Sequence, residues 1–387
     1  MRAAFVVQRY GKEVNGGAEL LCRQIAERLA ARMDVDVIST CAIDYVSWKN
    51  EYPPGVTEDN RVLVHRFPVS KERDIERFNQ LSNAIYPRRT SASMEECERW
   101  MIEQGPYVPE IWKYLYTVRD RVNALFFFTY LYATSYFGLP GVREKAILVP
   151  LAHDEWPIYM PIWDSFFELP KGFIFSTPEE KNFLRQRFPH AYLEGPIIGV
   201  GIESPMDVNA DRFRQQYDIS SPFLLYIGRI DPSKGCDQFF ANFLALKQSG
   251  YSGKLILLGR AVMAVPEHPD IVVLGFVEDH VKWDAIAACD CLVMPSPYES
   301  LSMVLLEAWV LGKPTLVNSR CDVLVGQSRR SQGGLWFESE DEFIAAIKSI
   351  DTFTRNQLGI QGRAFVKANY TWDRIISQYI DILEMMN

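Results

Sequence analysis

Two sets of short apolar runs, separated by helical stretches, constrain the fold of this 387-residue chain more than any other feature. The first set is AAFVVQ, VDVIST, VLVHRF, ALFFFTY, AILVPLA and FIFST, and the second is FLLYIG, KLILLG, IVVLGF, CLVMPS and PTLVN. Short apolar strands that alternate with helices are typical of parallel sheets built from βαβ units. Because the chain is also too long for one ordinary core, we expect an α/β protein with two doubly wound, Rossmann-like domains.

The segment EGPIIGVGIESPMDVNA, at 194–210, is the predicted domain boundary. Glycine and proline interrupt the strand and helix pattern there, just before the helical stretch DRFRQQYD. We therefore assign residues 1–200 to the first domain and residues 205–371 to the second.

Two glutamates lie eight residues apart in the segment LVMPSPYESLSMVLLEAWVLGKP, at 292–314. Glu299 follows an apolar strand, and Glu307 lies inside the next helix, which we expect to begin between Ser300 and Ser302. The first N–H groups of a helix have no partner within it and can bind an anion. The candidate groups for such contacts are Leu301, Ser302, Met303 and Val304.

The carboxylates of Glu299 and Glu307 would not bind a phosphate themselves. They accept hydrogen bonds from hydroxyl groups, such as those of a ribose and of a second sugar on either side of a diphosphate. The alternative is that Glu299 is a solvated loop charge and Glu307 an ordinary surface glutamate.

A second loop places two cations five residues apart, in FLLYIGRIDPSKGCDQFF at 223–240. The strand ends at Gly228 and Arg229, and Lys234 stands just before the next helix. Cations on a loop that leaves the carboxyl end of a strand can neutralise a diphosphate as it becomes a leaving group. Together the two segments predict a site for a nucleoside-diphospho-sugar.

GRIDPSKG at 228–235 and ESLSMVLLE at 299–307 resemble motifs of the retaining sugar-nucleotide transferases of glycosyltransferase family 4. NGGAE at 15–19 and HDE at 153–155 support the resemblance, and the four motifs follow the family's order. The resemblance implies the GT-B architecture, in which two Rossmann-like domains face each other across a cleft. It also implies that the C-terminal helix, at 372–387, packs back on the first domain.

The chain departs from the family where Leu301 and Ser302 replace a frequent aromatic residue and glycine. This difference changes the packing beside the donor sugar, so the family pattern does not define the donor.

The same resemblance assigns roles in the first domain. Paired glycines before a helix are often a plain turn and cap, but the resemblance puts this loop opposite the donor diphosphate, so Gly16 and Gly17 are candidate donor or acceptor contacts. A histidine near a strand end is often structural. The resemblance places His153 beside the transferred sugar, where its carbonyl would contact a hydroxyl or the developing positive charge while Asp154 orients the loop.

In the retaining mechanism that the resemblance implies, the acceptor hydroxyl attacks from the leaving-group face and a donor phosphate oxygen takes its proton. Glu299 would hold the donor sugar, Glu307 the ribose, and the segment from Gly275 to Val277 the base, with Phe276 and Val277 as named contacts. No general base is assigned. The expected catalytic residues are Arg229, Lys234, His153 and Glu299.

Two sequence patterns could suggest a metal, and we expect none at either. Asp34-Val35-Asp36 spells DxD but opens a strand on the side away from the expected cleft, and Cys289-Asp290-Cys291 has no nearby partner ligands. Arg229 and Lys234 already supply the positive charge that a metal would provide. We therefore predict no cofactor, with a UDP- or GDP-sugar as substrate.

The composition and charge of the chain indicate which partners and which compartment to expect. The balance of 41 Lys and Arg against 49 Asp and Glu gives a formal net charge of −8, which argues against a nucleic-acid partner. Seven scattered cysteines without a CxxC pair, and an N-terminus without a signal-peptide pattern, favour a cytoplasmic protein. Residues 122–142 lack charge, but their polar and helix-breaking residues favour a buried strand and a short helix over a membrane span.

Residues 48–118 form a longer connection than a βαβ unit requires and are expected to shape the acceptor pocket. Acceptors in the resembled family are often lipid-linked glycans. Arg88, Arg89 and nearby aromatics would then meet the inner face of the membrane peripherally, or simply form a solvated surface.

The favoured function is a hexosyltransferase of bacterial surface polysaccharide synthesis. The alternatives are a GT-B enzyme of other chemistry, such as an epimerase or phosphorylase, and a non-catalytic nucleotide-sugar-binding subunit.

Overall fold

The computed structural model describes residues 1–386, which form two compact units. Met1–Gly199 and the residues from Ile375 onward make the first unit, and Val200–Arg374 make the second. The chain therefore passes between the units twice, once after Gly199 and once inside its last helix.

The first unit contains a seven-stranded sheet in order β3-β4-β2-β1-β5-β6-β7 within the described residues. Its strands are β1 (Arg2–Val6), β2 (Asp34–Thr40), β3 (Gly55–Asp59), β4 (Val62–Phe67), β5 (Ala124–Phe128), β6 (Ala146–Val149) and β7 (Gly172–Phe173). Its helices are α1 (Gly17–Ala30), α2 (Ile75–Ile85), α3 (Met94–Gln104), α4 (Pro109–Val118), α5 (Ala133–Gly138), α6 (Ile162–Phe166) and α7 (Pro178–Arg187).

The second unit contains a six-stranded parallel sheet in order β10-β9-β8-β11-β12-β13 within the described residues. Its strands are β8 (Phe223–Ile227), β9 (Lys254–Leu258), β10 (Ile271–Gly275), β11 (Cys291–Met294), β12 (Thr315–Asn318) and β13 (Gly334–Phe337). Its helices are α8 (Ala210–Gln216), α9 (Cys236–Gln248), α10 (Asp279–Ala288), α11 (Met303–Val310), α12 (Asp322–Ser331), α13 (Glu340–Ser349) and α14 (Thr352–Asn369).

The last helix, α15 (Trp372–Met385), begins in the second unit and continues into the first. Its Tyr379 is buried, with its ring 5.4 Å from that of Phe126 in β5. Gly201 packs against Trp372 so closely that a Cβ at 201 would lie 2.3 Å from the indole ring. The first residues of α15 thus belong to the second unit, and the rest of the helix contributes Tyr379 to the core of the first.

Each apolar run of the two predicted sets overlaps a strand, although β7 includes only Phe173 of the run FIFST. A strand covered on both faces buries all of its side chains and so has a continuous apolar sequence. The run ALFFFTY is the clearest example, since all five residues of β5 are buried and α5 follows after a short loop. The expected buried strand and short helix at 122–142 are therefore confirmed. No helix within residues 1–386 is long and apolar enough to span a membrane.

The sheets also contain two strands outside the predicted sets, and both lie at sheet edges. β3 pairs antiparallel with β4 and has the sequence GVTED, four of whose residues are exposed. The first sheet is thus mixed rather than purely parallel. β13 is four residues long and pairs with β12. β3 has no apolar run because most of its residues are exposed, and β13 is short.

Candidate functional site

The carboxyl ends of β8 and β11 meet where the order of the second sheet reverses. β8 is followed on one side by β9 and β10, and β11 is followed on the other side by β12 and β13. In open α/β sheets, ligands bind outside the carboxyl ends of the strands at such a reversal. The two segments singled out by sequence leave the sheet at this point.

The loop after β8 is held in a fixed conformation by local contacts. Gly228 has φ of 155°, and the Tyr226 hydroxyl donates a hydrogen bond of 2.7 Å to the Arg229 carbonyl. Arg229 Nε lies 3.0 Å from Asp231 Oδ2, and Asp231 caps a single 3-10 turn by accepting the Ser233 N–H. Burial opposes the ionisation of Asp231, but these hydrogen bonds and the guanidinium outweigh it and lower its pKa.

Gly235 ends that turn and brings the loop against the segment after β11. Its φ of 72° is left-handed, and a Cβ at this position would lie 2.5 Å from the Pro295 carbonyl oxygen. Glycine is required here for both reasons. The close approach brings Lys234 Nζ to 2.8 Å from Glu299 Oε1. The cation expected at the diphosphate and the carboxylate expected at the donor sugar are therefore neighbours.

The start of α11 differs from the sequence expectation. The helix begins at Met303, not between Ser300 and Ser302, and the Ser302 N–H donates to Gln327 Oε1 at 3.2 Å. Ser302 is buried as the residue before the helix, and no side chain caps the first turn. The N–H groups of Met303 and Val304 are therefore among those that an intrahelical bond cannot satisfy, while that of Ser302 has a protein partner.

Glu307 is buried inside α11 and paired with a residue of α10. Its Oε1 lies 2.7 Å from Lys282 Nζ, which also lies 2.9 Å from Asp279 Oδ1. Burial raises the pKa of Glu307, and the nearby Lys282 ammonium limits the rise. An ordinary surface glutamate would be solvated, so the alternative reading of Glu307 is wrong.

The loop after β10 presents an exposed aromatic ring. Gly275 has a left-handed φ of 71°, and its carbonyl accepts the Gly259 N–H at 2.7 Å. Phe276, the next residue, is 74% exposed, and Val277 follows it. β10 is the outermost strand on that side of the sheet.

In the first unit, the glycine pair begins α1 as expected. Gly16 precedes the helix with φ of 159°, and Gly17 is its first residue. A Cβ at Gly16 would collide with the Glu19 carboxylate, which forms a buried ion pair with Arg9 at 2.5 Å. The loop is therefore built around a buried charge pair.

His153 lies in the loop after β6 and is tied to its neighbours. Its carbonyl accepts the Glu155 N–H at 2.8 Å, and its Nε2 lies 3.8 Å from Glu155 Oε1. Asp154 accepts a hydrogen bond of 2.6 Å from the Tyr159 hydroxyl. The fully buried carboxylate of Glu180, at the start of α7, fixes the same loop by accepting the Ala152 N–H at 2.7 Å.

The two sequence patterns considered for metals have structural partners. Asp36 accepts hydrogen bonds from Arg2 at 2.5 Å and from His65 at 2.8 Å. Asp290 accepts the Phe223 N–H at 2.7 Å and pairs with Arg355. Within residues 1–386, no group of three His, Cys, Asp or Glu is arranged to hold a metal ion.

The region expected to shape an acceptor pocket contains α2, α3 and α4. Arg88 forms two hydrogen bonds with the Glu96 carboxylate, and the Arg89 guanidinium lies 5.0 Å from the Tyr86 ring centroid. Both arginines therefore have local partners on an exposed surface.

Sequence reasoning missed three residues that support the candidate site residues, namely Lys282, Gln327 and Glu180. Each is far along the chain from the group it contacts. For Glu180 a local signal existed, because Thr177-Pro178-Glu179-Glu180 has the spacing of a helix capping motif.

Residues 221–351, within the second unit, match the family model described as glycosyl transferases group 1. A curated relative, an uncharacterized glycosyltransferase of Methanocaldococcus jannaschii, is 23% identical over 238 residues. The matched stretch covers 55% of this chain and spans 57% of that relative's length.

Two solved structures resemble the whole chain. A sucrose-phosphate synthase from Thermosynechococcus elongatus has a TM-score of 0.69 at 18% identity, covering 100% of this chain and 98% of that one. A HepE protein of Anabaena, solved in complex with UDP-glucose, has a TM-score of 0.72 at 16% identity, with 100% of both chains covered. At these identities the likeness establishes the fold. Residues 221–351 therefore match group 1 glycosyl transferases in sequence, and the chain as a whole has the two-domain α/β fold of GT-B glycosyltransferases.

Proposed function

We propose that the chain is a glycosyltransferase that uses a nucleoside-diphospho-sugar as donor. The observation that carries the proposal is the ion pair of Lys234 with Glu299, which joins the loops after β8 and β11 at the sheet reversal. The match of residues 221–351 to group 1 glycosyl transferases supports it.

In the proposed donor complex, Arg229 and Lys234 face the diphosphate, and the N–H groups of Met303 and Val304 contact one of its phosphates. Glu299 accepts hydrogen bonds from the donor sugar and Glu307 from the ribose, while Phe276 and Val277 contact the base. Positive charge fixed before the reaction stabilises the leaving nucleoside diphosphate without reorganisation. The two cations supply the charge that a metal provides in other transferases, so we propose a reaction that needs no metal.

In the first unit, Gly16, Gly17 and His153 are proposed as further ligand contacts. The first N–H groups of α1 offer donors to a donor or acceptor oxygen. The carbonyl of His153 keeps a second lone pair when it accepts the Glu155 N–H, so it can still contact a sugar hydroxyl.

The finer assignment is a retaining transfer of a hexose from a UDP- or GDP-sugar to a glycan or lipid-linked glycan, in bacterial surface polysaccharide synthesis at the cytoplasmic side of the membrane. The motif resemblance supports the retaining class, and the HepE complex supports UDP-glucose as a donor to try first. In that class a donor phosphate oxygen takes the acceptor proton, so no side chain serves as general base.

The test is a panel of UDP-, GDP- and dTDP-sugars, scored by thermal stabilisation and by slow release of the nucleoside diphosphate. We expect one nucleotide to stabilise the protein selectively and its sugar donor to be hydrolysed. If a donor is turned over, the configuration of the released sugar, followed by NMR, tests the retaining assignment. Absence of both stabilisation and hydrolysis with every donor would overturn the proposal, and binding without turnover would favour a non-catalytic subunit.

A further inference from the structure

Lys282 lies against the carboxylate that we assign to the ribose. It belongs to α10, whereas Glu307 belongs to α11, and the side chains of Lys282 and Glu307 are 20% and 11% exposed. The ammonium of Lys282 also contacts Asp279 and lies 5.1 Å from the centroid of the Trp283 ring. These contacts fix its position beside Glu307.

The pairing engages only one oxygen of Glu307. Lys282 Nζ lies 2.7 Å from Oε1, so Oε2 lies outside this contact. A carboxylate can accept about four hydrogen bonds, so Lys282 leaves most of this capacity to a ligand. A buried carboxylate without a cation would instead take up a proton and lose its value as an acceptor of two hydroxyl donors.

We propose that Lys282 is a positioning residue that keeps Glu307 ionised and oriented for the ribose hydroxyls, and so sets the preference of the site for ribonucleotides over deoxyribonucleotides. This inference rests on the proposed function, because it requires a nucleotide at the start of α11. Lys282 acts through Glu307 and need not touch the ligand.

The charged groups around Glu307 support the assignment of Lys282 as the residue that keeps Glu307 ionised. On α10, Lys282 and Asp279 act directly on it, and burial raises the pKa of Glu307 while Lys282 lowers it. His280 on the same helix lies 3.3 Å from Glu278. The charge nearest to Glu307 is therefore that of Lys282.

The charged residues on other elements that pack around α11 contact groups other than Glu307. Arg363 of α14 donates to the carbonyls at the end of α11, and Lys313 donates to the Cys289 carbonyl. Glu299, before the helix, pairs with Lys234. Removal of Lys282 would therefore take away the cation that stabilises the ionised form of Glu307.

The experiment measures the affinities of UDP and 2′-deoxy-UDP by calorimetry between pH 5.5 and 8.5, or those of the guanine pair if the protein binds GDP. The readout is the ratio of the two affinities, because titration of the phosphates affects both ligands equally. For the wild type we expect a ratio of about ten or more that changes little with pH, since hydrogen bonds to charged groups are the stronger ones.

For Lys282→Met we expect the ratio to fall towards one at low pH and to recover as the pH rises, by up to about tenfold per pH unit below the Glu307 pKa. Lys282→Arg should keep the wild-type profile. Glu307→Gln should give a ratio near one at every pH, which defines the effect of a neutral side chain. Lys247→Met removes a lysine that pairs with Asp270 at 2.7 Å in the same unit and should leave the ratio unchanged.

This inference would be overturned if a folded Lys282→Met protein kept the wild-type ratio at low pH. It would also be overturned if a folded Lys282→Arg protein lost that ratio. Either result would leave the proposed function standing. If Lys282→Met does not fold, the arginine variant and Glu307→Gln decide between the same outcomes. A wild type that binds no nucleotide would overturn the proposed function and this inference together.

Discussion

At the scale of single residues, the candidate site contains two lysine–glutamate contacts, Lys234 with Glu299 and Lys282 with Glu307. The sequence pattern placed Arg229, Lys234 and Glu299 in the loops after two strands, and Glu307 inside the helix that follows the second. It could not show that Lys234 meets Glu299, because that contact depends on which strands are neighbours in the sheet. The contact of Lys282 with Glu307 likewise depends on which elements are neighbours in the fold.

Replacement of Lys234 by alanine should slow donor hydrolysis by about 10²- to 10³-fold, the usual cost of losing one fixed group that stabilises a leaving oxygen. Lys234 and Glu299 are partly exposed, with side chains 32% and 17% accessible, so the loss of the ion pair should change stability by only about 1 kcal/mol or less. Lys247→Ala, which breaks a different lysine pair in the same unit, is the control. Equal hydrolysis rates in both variants would contradict the role of Lys234.

At the scale of elements, strands with two covered faces were predictable because continuous apolar runs identify them. The strands β3 and β13 were not predicted: four of the five residues of β3 are exposed, so it has no apolar run, and β13 has only four residues. The start of α11 was predicted about one to three residues too early, because the contact between Ser302 and Gln327 of α12 ends the loop there. Tertiary contacts of this kind leave no local signal in the sequence.

Glu180 offers a test of how α7 supports the loop of His153. Its carboxylate accepts the N–H groups of Ala152 and Ser176, and burial raises its pKa to about 8 because the backbone hydrogen bonds only partly offset desolvation. Between the pKa of an unfolded glutamate, about 4.3, and this value, the folded state holds a proton that the unfolded chain has lost. This group therefore makes stability fall as the pH rises through that range.

We expect the difference in unfolding free energy between the wild type and Glu180→Gln to shrink from pH 5 to pH 8, by at most about 1.4 kcal/mol per pH unit. Chemical denaturation at several pH values measures it. Glu179→Gln, one residue away, controls for the loss of a negative charge at the same helix end. A difference that stays constant with pH would show that Glu180 is not held protonated.

At the scale of the whole molecule, the two sets of apolar runs were sufficient to predict two α/β units. The return of the C-terminal helix to the first unit was predicted from the motif resemblance. The amphipathic pattern of α15 shows that one face of the helix is buried, but it does not show which residues cover that face. In the structure that face carries Tyr379, which packs on Phe126 of β5.

Truncation of Tyr379 to alanine should destabilise the first unit by about 3 to 5 kcal/mol, the usual cost of removing a large aromatic side chain from a core. In calorimetric unfolding, the melting temperature of one transition should fall, while that of the transition that responds to nucleotide should change less. Ser377→Ala, at an exposed position on the same helix, should leave both transitions in place. Identical unfolding of the two variants would mean that α15 does not stabilise the first unit.

We propose that the second unit binds a nucleoside diphosphate at the carboxyl ends of β8 and β11. Amide hydrogen exchange with and without UDP or GDP tests it most directly, because it locates the site residue by residue. We predict slower exchange in the loop around Lys234 and in the first turn of α11 at Met303 and Val304. Unchanged exchange in both segments, under conditions where the nucleotide is bound, would show that the nucleotide binds elsewhere on the chain.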